Sequence, residues 1–585
     1  MPRPLRSLLV LLLALVISLA AMPAGAAGPV TVTWERNWGT YDGSAPYASG
    51  EFSRPIDVAT DKWGNVYVAG GANGDNRVQM FDADGGYITA YANAGTSAGQ
   101  LNGPCAITTD RWGNIYVGQW FNQRIEIFNP QLYSHLRSIS VPFAAGHGIL
   151  GLAVALDGKI FNVRYLTDLQ VRNWLGTEIA PALTPPDPIG VGVNQDGEIY
   201  AALDAPTNML GVYHPDLTLK WAWGTTGSDP GYYSQPWEAV VDGAGSVFVS
   251  EHGNRRVQVQ SSNAEVLAVF GNTGTADQLL GGPTGIAAGL DRTAYVCDNE
   301  KHRISKWNVS VPTTVAEVEG GTRYTTAVEA SKKAFPEPQN ADIVVLATGE
   351  NWPDALGGTA LAGTADGPLL LTPRDTLPTE VAAEITRLEP KRVYVLGGTA
   401  AVSDAVMNAA KALTTMDIAT RLDGVDRYET AIEIAKEVKA MLGVAYDGTA
   451  FVCTGENFPD ALAASPIAAA NGWPIYLTPS DHLPDEVGTA MLTNIWGGNP
   501  TNHGYIIGGE SAVSAAVEAT LNSAPFMGFG RYDGANRYET AAEVARIGFE
   551  GMGMLWSRPA IATGENFPDA LAGGVLQGSD YSVML

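Results

Sequence analysis

The sequence predicts a multidomain chain: an all-β six-bladed propeller followed by α/β parallel-sheet repeats, three tandem units with the third truncated. Three observations predict it. A strand–turn–strand pattern returns six times between residues 30 and 310. From about residue 312 the texture changes to apolar β-branched runs alternating with helical periodicity. Beyond that point the string Thr-Gly-Glu-Asn-aromatic-Pro-Asp-Ala-Leu is written three times, from Thr348, Thr454 and Thr563.

A chain of 585 residues exceeds what one core can organise, so several domains are expected. Arg3 and Arg6, the apolar run from Leu8 to Ala20, and the small residues Ala24 and Ala26 mark residues 1–27 as a secretory signal peptide. No other long apolar run follows, so no transmembrane segment is expected after signal cleavage. The formal net charge of −26 argues against nucleic acid as a partner, because counterion release needs clustered Lys and Arg. Cys105, Cys297 and Cys453 each lie in an apolar, strand-like context without a Cys-x-x-Cys partner, and are read as small buried hydrophobes.

The propeller is assigned to residues 28–311. Its copies start at Pro55, Pro104, Gly148, Pro188, Pro236 and Pro283, a period of roughly 40–50 residues that marks a solenoid or propeller. In each copy a first β-rich run ends in Asp and Gly, which suit a tight turn, as at Asp61 and Gly64. A second run such as Val66, Tyr67, Val68 follows. An Asn-x-Arg turn then leads to a third, alternating run with Val78 and Met80. Arg77, Arg124 and Arg256 recur in this turn and are read as structural. Four antiparallel strands per copy, in a ring that leaves few edges, is a propeller blade. The last copy runs out near Asn308 after its third strand. Residues 31–40 resemble the fourth strands elsewhere, such as the run from Leu219, so the N-terminal strand is expected to complete the last blade.

The repeats are assigned to residues 312–420, 421–526 and 527–585, after a short Pro- and Thr-containing linker. The first unit reads as a helix from Arg323, a buried strand, a helix with Pro353 near its first position, a strand, a helix, a strand, and a helix capped by Ser403. Strict alternation of strand and helix implies a parallel sheet covered on both faces. The second unit starts at Asp426 and the third at Asp533, which reaches its Thr-Gly-Glu-Asn copy and ends at Leu585.

The blade pattern resembles NHL-repeat propellers over about 280 residues, with strong motifs in the first, second and fifth copies and weaker ones in the third and fourth. The Arg-Tyr-x-Thr-Ala, Thr-Gly-Glu-Asn-x-Pro-Asp-Ala-Leu, Pro-apolar-apolar-Leu-Thr-Pro and Gly-Gly-x-x-Ala-Val-Ser motifs resemble the type 2 cell-wall-binding repeat of Gram-positive surface proteins. That resemblance implies three units packed about a pseudo-threefold axis, holding the protein to the wall through an anionic secondary polymer. It also implies that the Pro-apolar-apolar-Leu-Thr segment carries recognition. Here that segment is Pro368, Leu369, Leu370, Leu371 and Thr372, then Pro474, Ile475, Tyr476, Leu477 and Thr478, with only Val583, Met584 and Leu585 in the third unit.

The repeated turn has a purely structural reading. Pro353, Pro459 and Pro568 suit the first helical position, Asn351, Asn457 and Asn566 are candidate caps, and Asp354, Asp460 and Asp569 complement the helix dipole. The functional reading is that helix-start N–H groups at the strand ends receive a phosphate or carboxylate, against the adjacent Glu350, Glu456 and Glu565. Arg323, Arg427 and Arg537 stand at one place in each unit. They are candidates for polymer contact, or for ion pairs with Asp423, Asp533 or a neighbouring unit's Glu. No cofactor is predicted, and a divalent cation is possible where an acidic chain meets an anionic polymer.

On the propeller, His147, His252 and His302 are expected at one rim and form a candidate metal set, with His214 on the other rim. Trp120, Phe121 and Trp237 are expected on the same rim as that set, as candidates for stacking on a carbohydrate or engaging a protein. The expected whole is a secreted surface protein, held to the wall by an anionic polymer and displaying a propeller that binds a ligand still to be found. A wall-tethered propeller enzyme, a metal-dependent lyase or a hydrolase using the rim histidines or converging central carboxylates, is one alternative. A surface-layer component is the other.

Overall fold

The computed structural model describes residues 30–585 apart from 40–47, 72–74, 144–147, 186, 205, 290–292, 311–316, 340, 352, 495–498 and 527. The proposed signal peptide and the start of the linker lie outside the described residues. Six antiparallel sheets form the first half. Their innermost strands, Asp57–Thr60, Pro104–Thr109, Ile149–Val154, Pro188–Val193, Pro236–Val241 and Pro283–Ala288, neighbour one another around the ring. The ring closes as the sequence suggests: Thr31–Trp38 pairs antiparallel with Arg303–Ser310, with Trp34 opposite Trp307.

Local chemistry makes each blade. Asp61 Oδ1 accepts from Trp63 N and Asn65 N at 2.9 Å each, which tightens the first hairpin into a turn whose Gly64 sits at φ +85°. Asp110 does the same for Trp112 and Asn114. The Asn-x-Arg arginines pair within their own blades, Arg77 with Asp75, Arg124 with Glu126 and Arg256 with Glu251. Buried tyrosines tie neighbouring blades: Tyr67 donates to Pro130 O at 2.6 Å, and Tyr295 donates to Ala83 O across the ring closure at 3.0 Å. The third blade has three regular strands. Its fourth segment makes only the isolated bridges Arg172–Glu178 and Leu169–Leu183, because Pro181 between them has no N–H for a ladder.

The second half holds two four-stranded parallel sheets and one parallel pair. The first sheet is ordered Leu369–Thr372, Ile343–Thr348, Arg392–Leu396, Ala419–Leu422. The fourth strand was not expected from the sequence, because it is four residues long and carries Thr420 and Arg421. It runs across the assigned boundary at 420, and its counterpart Gly528–Tyr532 lies beyond the boundary at 526. Ser403 caps its helix as expected, accepting from Val406 N.

The helices that follow the repeated turn, Gly358–Thr364, Pro459–Asn471 and Pro568–Ser579, pack on one another at the centre of the three units. Small residues allow the approach: a Cβ on Gly363 or Gly578 would overlap Ala469, and one on Gly574 would overlap Ser465. The first-to-second-strand hairpins of the propeller rest on the third unit. Lys62 Nζ donates to Phe549 O at 2.5 Å, Arg111 lies 3.8 Å from the ring centroid of Tyr581, and Arg558 donates to Gly243 O and Asp196. Cys105, Cys297 and Cys453 are buried and unpaired by disulfides. Among the described residues no helix is long and apolar enough to cross a membrane.

Candidate functional site

At the end of each central strand the chain assembles the same parts. The Thr hydroxyl of the repeated turn accepts from the Glu N–H two residues on, in Thr348, Thr454 and Thr563. The Gly of the turn leaves room for the Tyr ring that follows the unit's Arg: Tyr324 against Gly349, Tyr428 against Gly455, Tyr538 against Gly564. The Arg then reaches over. Arg323 Nη1 donates to Gly349 O and Arg537 Nη1 to Gly564 O, both at 2.5 Å, and Arg427 makes the same bond to Gly455 O.

These arginines also bridge units. Arg323 of the first stands over Phe567 of the third at 5.9 Å, and Arg537 of the third over Phe458 of the second at 6.0 Å. The two phenylalanine rings lie 6.1 Å apart. The sequence offered Asp423 or Asp533 as partners. The structure instead gives Arg323 and Arg537 a carbonyl and an aromatic face. This pairing is invisible in one unit's sequence because the ring comes from another unit.

Two details of the turn differ from expectation. The residues preceding the helices Pro459–Asn471 and Pro568–Ser579 are Phe458 and Phe567, in helical conformation and without a side-chain cap. Asn457 and Asn566 accept only from the next residue's N–H. Asp460 is pushed up to about 6 by burial, opposed by the Arg537 charge and reinforced by Asp533. The segments expected to carry recognition, Leu369, Leu370, Leu371, Thr372 and Ile475, Tyr476, Leu477, Thr478, are buried throughout. Thr372 Oγ1 bonds to Thr376 O at 3.1 Å and Thr478 Oγ1 to His482 O at 2.8 Å, so both set the loops that follow. These side chains shape the wall of the repeats and do not reach its surface.

The propeller mouth lies on the rim away from the third unit. Its floor is Cys105, Leu150 and Ile189, with Trp120, Tyr165 and Trp237 half-buried against it. Trp120 and Tyr165 rings are 5.4 Å apart, and Trp237 and His252 rings 5.9 Å apart. Phe121 stands beside Trp120 and is 55% exposed. His302 Nδ1 accepts from Arg54 N at 3.1 Å, and burial with the nearby Arg54 charge keeps its pKa low. His147 lies outside the described residues. Among those described, no three His, Cys, Asp or Glu side chains gather as a metal site.

Inside the ring the structure joins two carboxyls that the sequence left unassigned. Asp57 of the first blade and Glu238 of the fifth are fully buried and hydrogen-bonded to each other across Gly285 of the sixth. Asp57 also accepts from Val58 N at 2.8 Å and Ile107 N at 2.7 Å, and Glu238 from Ile286 N at 2.8 Å. Burial pushes Asp57 up to about 7 and Glu238 well above the carboxylate range. The signal was present in register: the place of Asp57 is filled by Ala106, Gly151, Gly190, Glu238 and Gly285 in the other blades. The pair joins blades through its hydrogen bonds at the side of a channel cavity of about 230 Å³ lined by Glu238, Val240 and Ile286 among others.

A propeller joined to threefold α/β units with a repeated Arg–turn–helix constellation defines a two-module protein. The second module resembles a known family. The model of Cell wall binding domain 2 (CWB2) matches residues 317–407, 421–518 and 531–585, one match in each of the three α/β units. N-acetylmuramoyl-L-alanine amidase LytC of Bacillus subtilis (strain 168) is 30% identical over 271 residues, 46% of this chain and 50% of the relative. The amidase enhancer of the same organism is 30% identical over 284 residues, 48% of this chain and 36% of the relative. The chain spans half or less of the length of these relatives. Among solved structures, Cwp8 from Clostridium difficile is 26% identical with a TM-score of 0.40, covering 50% of this chain and 51% of that one.

Proposed function

We propose that this is a secreted surface protein, held without a covalent bond by CWB2 repeats that grip an anionic wall polymer, with the propeller mouth displayed away from the anchor. The carrying observation is the repeated Arg held between its own Gly carbonyl and a neighbouring unit's Phe. It puts a fixed cation at each described junction in a chain of net charge −26. The exposed Glu350, Glu456 and Glu565 beside it leave room for a bridging divalent cation. Repetition turns weak single contacts into avidity. The similarity to an N-acetylmuramoyl-L-alanine amidase and an amidase enhancer is consistent with this reading.

The test is sedimentation of the full chain with isolated Gram-positive walls, before and after their anionic polymers are stripped. Binding that disappears on stripping supports the reading. Equal binding to stripped walls, or none to intact walls, sinks it.

A further inference from the structure

Three residues around the propeller mouth hold a conformation that their side chains make costly. Arg54, Asp187 and Gln235 lie at φ +56°, +45° and +50°, each just before the proline that leads into an inner strand. The second blade has Gly103 at the same place, at φ +68°. Glycine fills this left-handed position without strain, and other residues persist there where something over-determines them. Among the described residues, none of the three side chains makes a hydrogen bond or ion pair. Their backbone groups are engaged, as where Gln235 N donates to Asn208 Oδ1 at 2.8 Å, so the strain leaves the polar ends unspent.

We propose that the mouth is a carbohydrate-binding site, in which Trp120 and Trp237 stack on sugar rings and the free ends of Arg54, Asp187 and Gln235 bond the ring hydroxyls. This rests on the reading of the propeller as the displayed binding head. Half-buried aromatic faces over an apolar floor suit the C–H face of a sugar. One cation, one anion and one amide, all unpaired, suit a hydroxyl-rich ligand of little net charge. An acidic polymer would meet the charge of Asp187, and a purely apolar ligand would gain nothing from the three polar ends. The opposite end of the ring is occupied by Arg558 and the third unit, so the mouth is the approach that stays open.

The experiment is calorimetric titration of the full chain with a panel of neutral, acetamido and uronic-acid oligosaccharides. We expect at least one neutral or acetamido member to bind. Affinity should fall tenfold or more in Trp237→Ala, and also in the triple variant Arg54→Gly, Asp187→Gly, Gln235→Gly. The triple variant relieves strain, so its unfolding midpoint should hold or rise, which separates a ligand role from a structural one. Failure of every sugar to bind overturns the inference, as does undiminished binding in both variants. Wall sedimentation of the same variants should be unchanged. Sugar binding with sedimentation lost would support this site and overturn the anchor instead.

Discussion

The guanidinium of Arg323 in the first repeat stands 5.9 Å from the ring of Phe567 in the third, while its Nη1 donates to Gly349 O in its own unit. One side chain thus joins a turn to its helix and one unit to another. The repeated motif therefore makes an interface at two described junctions, where the arginine of one copy meets the ring of another.

Arg323→Ala removes a cation–π contact worth about 1 kcal/mol and a hydrogen bond worth about 1 kcal/mol. Unfolding free energy of the C-terminal module should fall by about 1–2 kcal/mol, read by denaturant titration. Arg323→Lys keeps the charge but loses the planar fork, and should recover less than half of the loss. Full recovery by Lys would show that charge alone matters here.

The helix contacts at the centre of the repeats give a sharper effect. Gly363→Val puts side-chain atoms onto the Ala469 backbone, which cannot move aside without shifting a whole helix. Overpacking of this kind costs about 1–3 kcal/mol or more, and calorimetry should show the C-terminal transition lowered. Gly321→Ala is the control: nothing lies near its Cβ, and its midpoint should not move.

Much of this was legible in the sequence, and the rest was hidden for separate physical reasons. Period, turn residues and alternation gave the six blades, the closing N-terminal strand and the parallel units, because each is a local pattern. The Arg323–Phe567 pair was not legible because the ring comes from another unit, and the Asp57–Glu238 pair left only a faint trace, two acids at a blade position that Ala or Gly fills elsewhere. The burial of Leu369–Thr372 follows from its apolar run in a sheet covered on both faces, although the family resemblance assigned that segment to recognition. The short strand Ala419–Leu422 was missed because two polar residues interrupt its pattern.

The carboxyl pair makes propeller stability depend on pH. Asp57 and Glu238 start from ordinary values of 3.8 and 4.5 in the open chain, and burial raises Asp57 to about 7 and Glu238 well above its own. Between those limits the folded chain binds more protons than the unfolded one. Its stability is therefore greatest below about pH 4 in this term and falls as pH rises through 7. The other titratable groups that face the pair, the buried Cys105 and Cys297 thiols, are themselves pushed up and stay neutral in this window. Glu238→Gln keeps a donor to Asp57 and an acceptor for Ile286 N, and needs no proton. Melting of the variant should vary less between pH 5 and pH 8 than wild type, and it should be the more stable at pH 8. Parallel pH profiles would refute the shared-proton account.

The contact between the modules is also testable. Arg558 Nη1 sits 3.1 Å from Asp196 Oδ1 in the propeller and 3.8 Å from Asp580 in its own unit. Burial lifts Asp580 to about 6 and the Arg558 charge opposes that rise, so the arginine serves both sides of the junction. Arg558→Ala removes the bridge and leaves Asp580 half-compensated, and Arg111→Ala removes the stack on Tyr581. Charge-assisted bonds of this kind are worth about 1.5–3 kcal/mol and the stack about 1 kcal/mol. Together the two changes should release the propeller from the third repeat. Small-angle scattering of the double variant should show a larger radius of gyration, and amide exchange around Phe549 and Arg558 should quicken tenfold or more. The propeller should melt at its original temperature, since neither substitution touches a blade's core. An unchanged radius with unchanged exchange would mean that the modules are held by the apolar contact of Trp112 against Gly553, and Trp112→Ala would then be the variant that separates them.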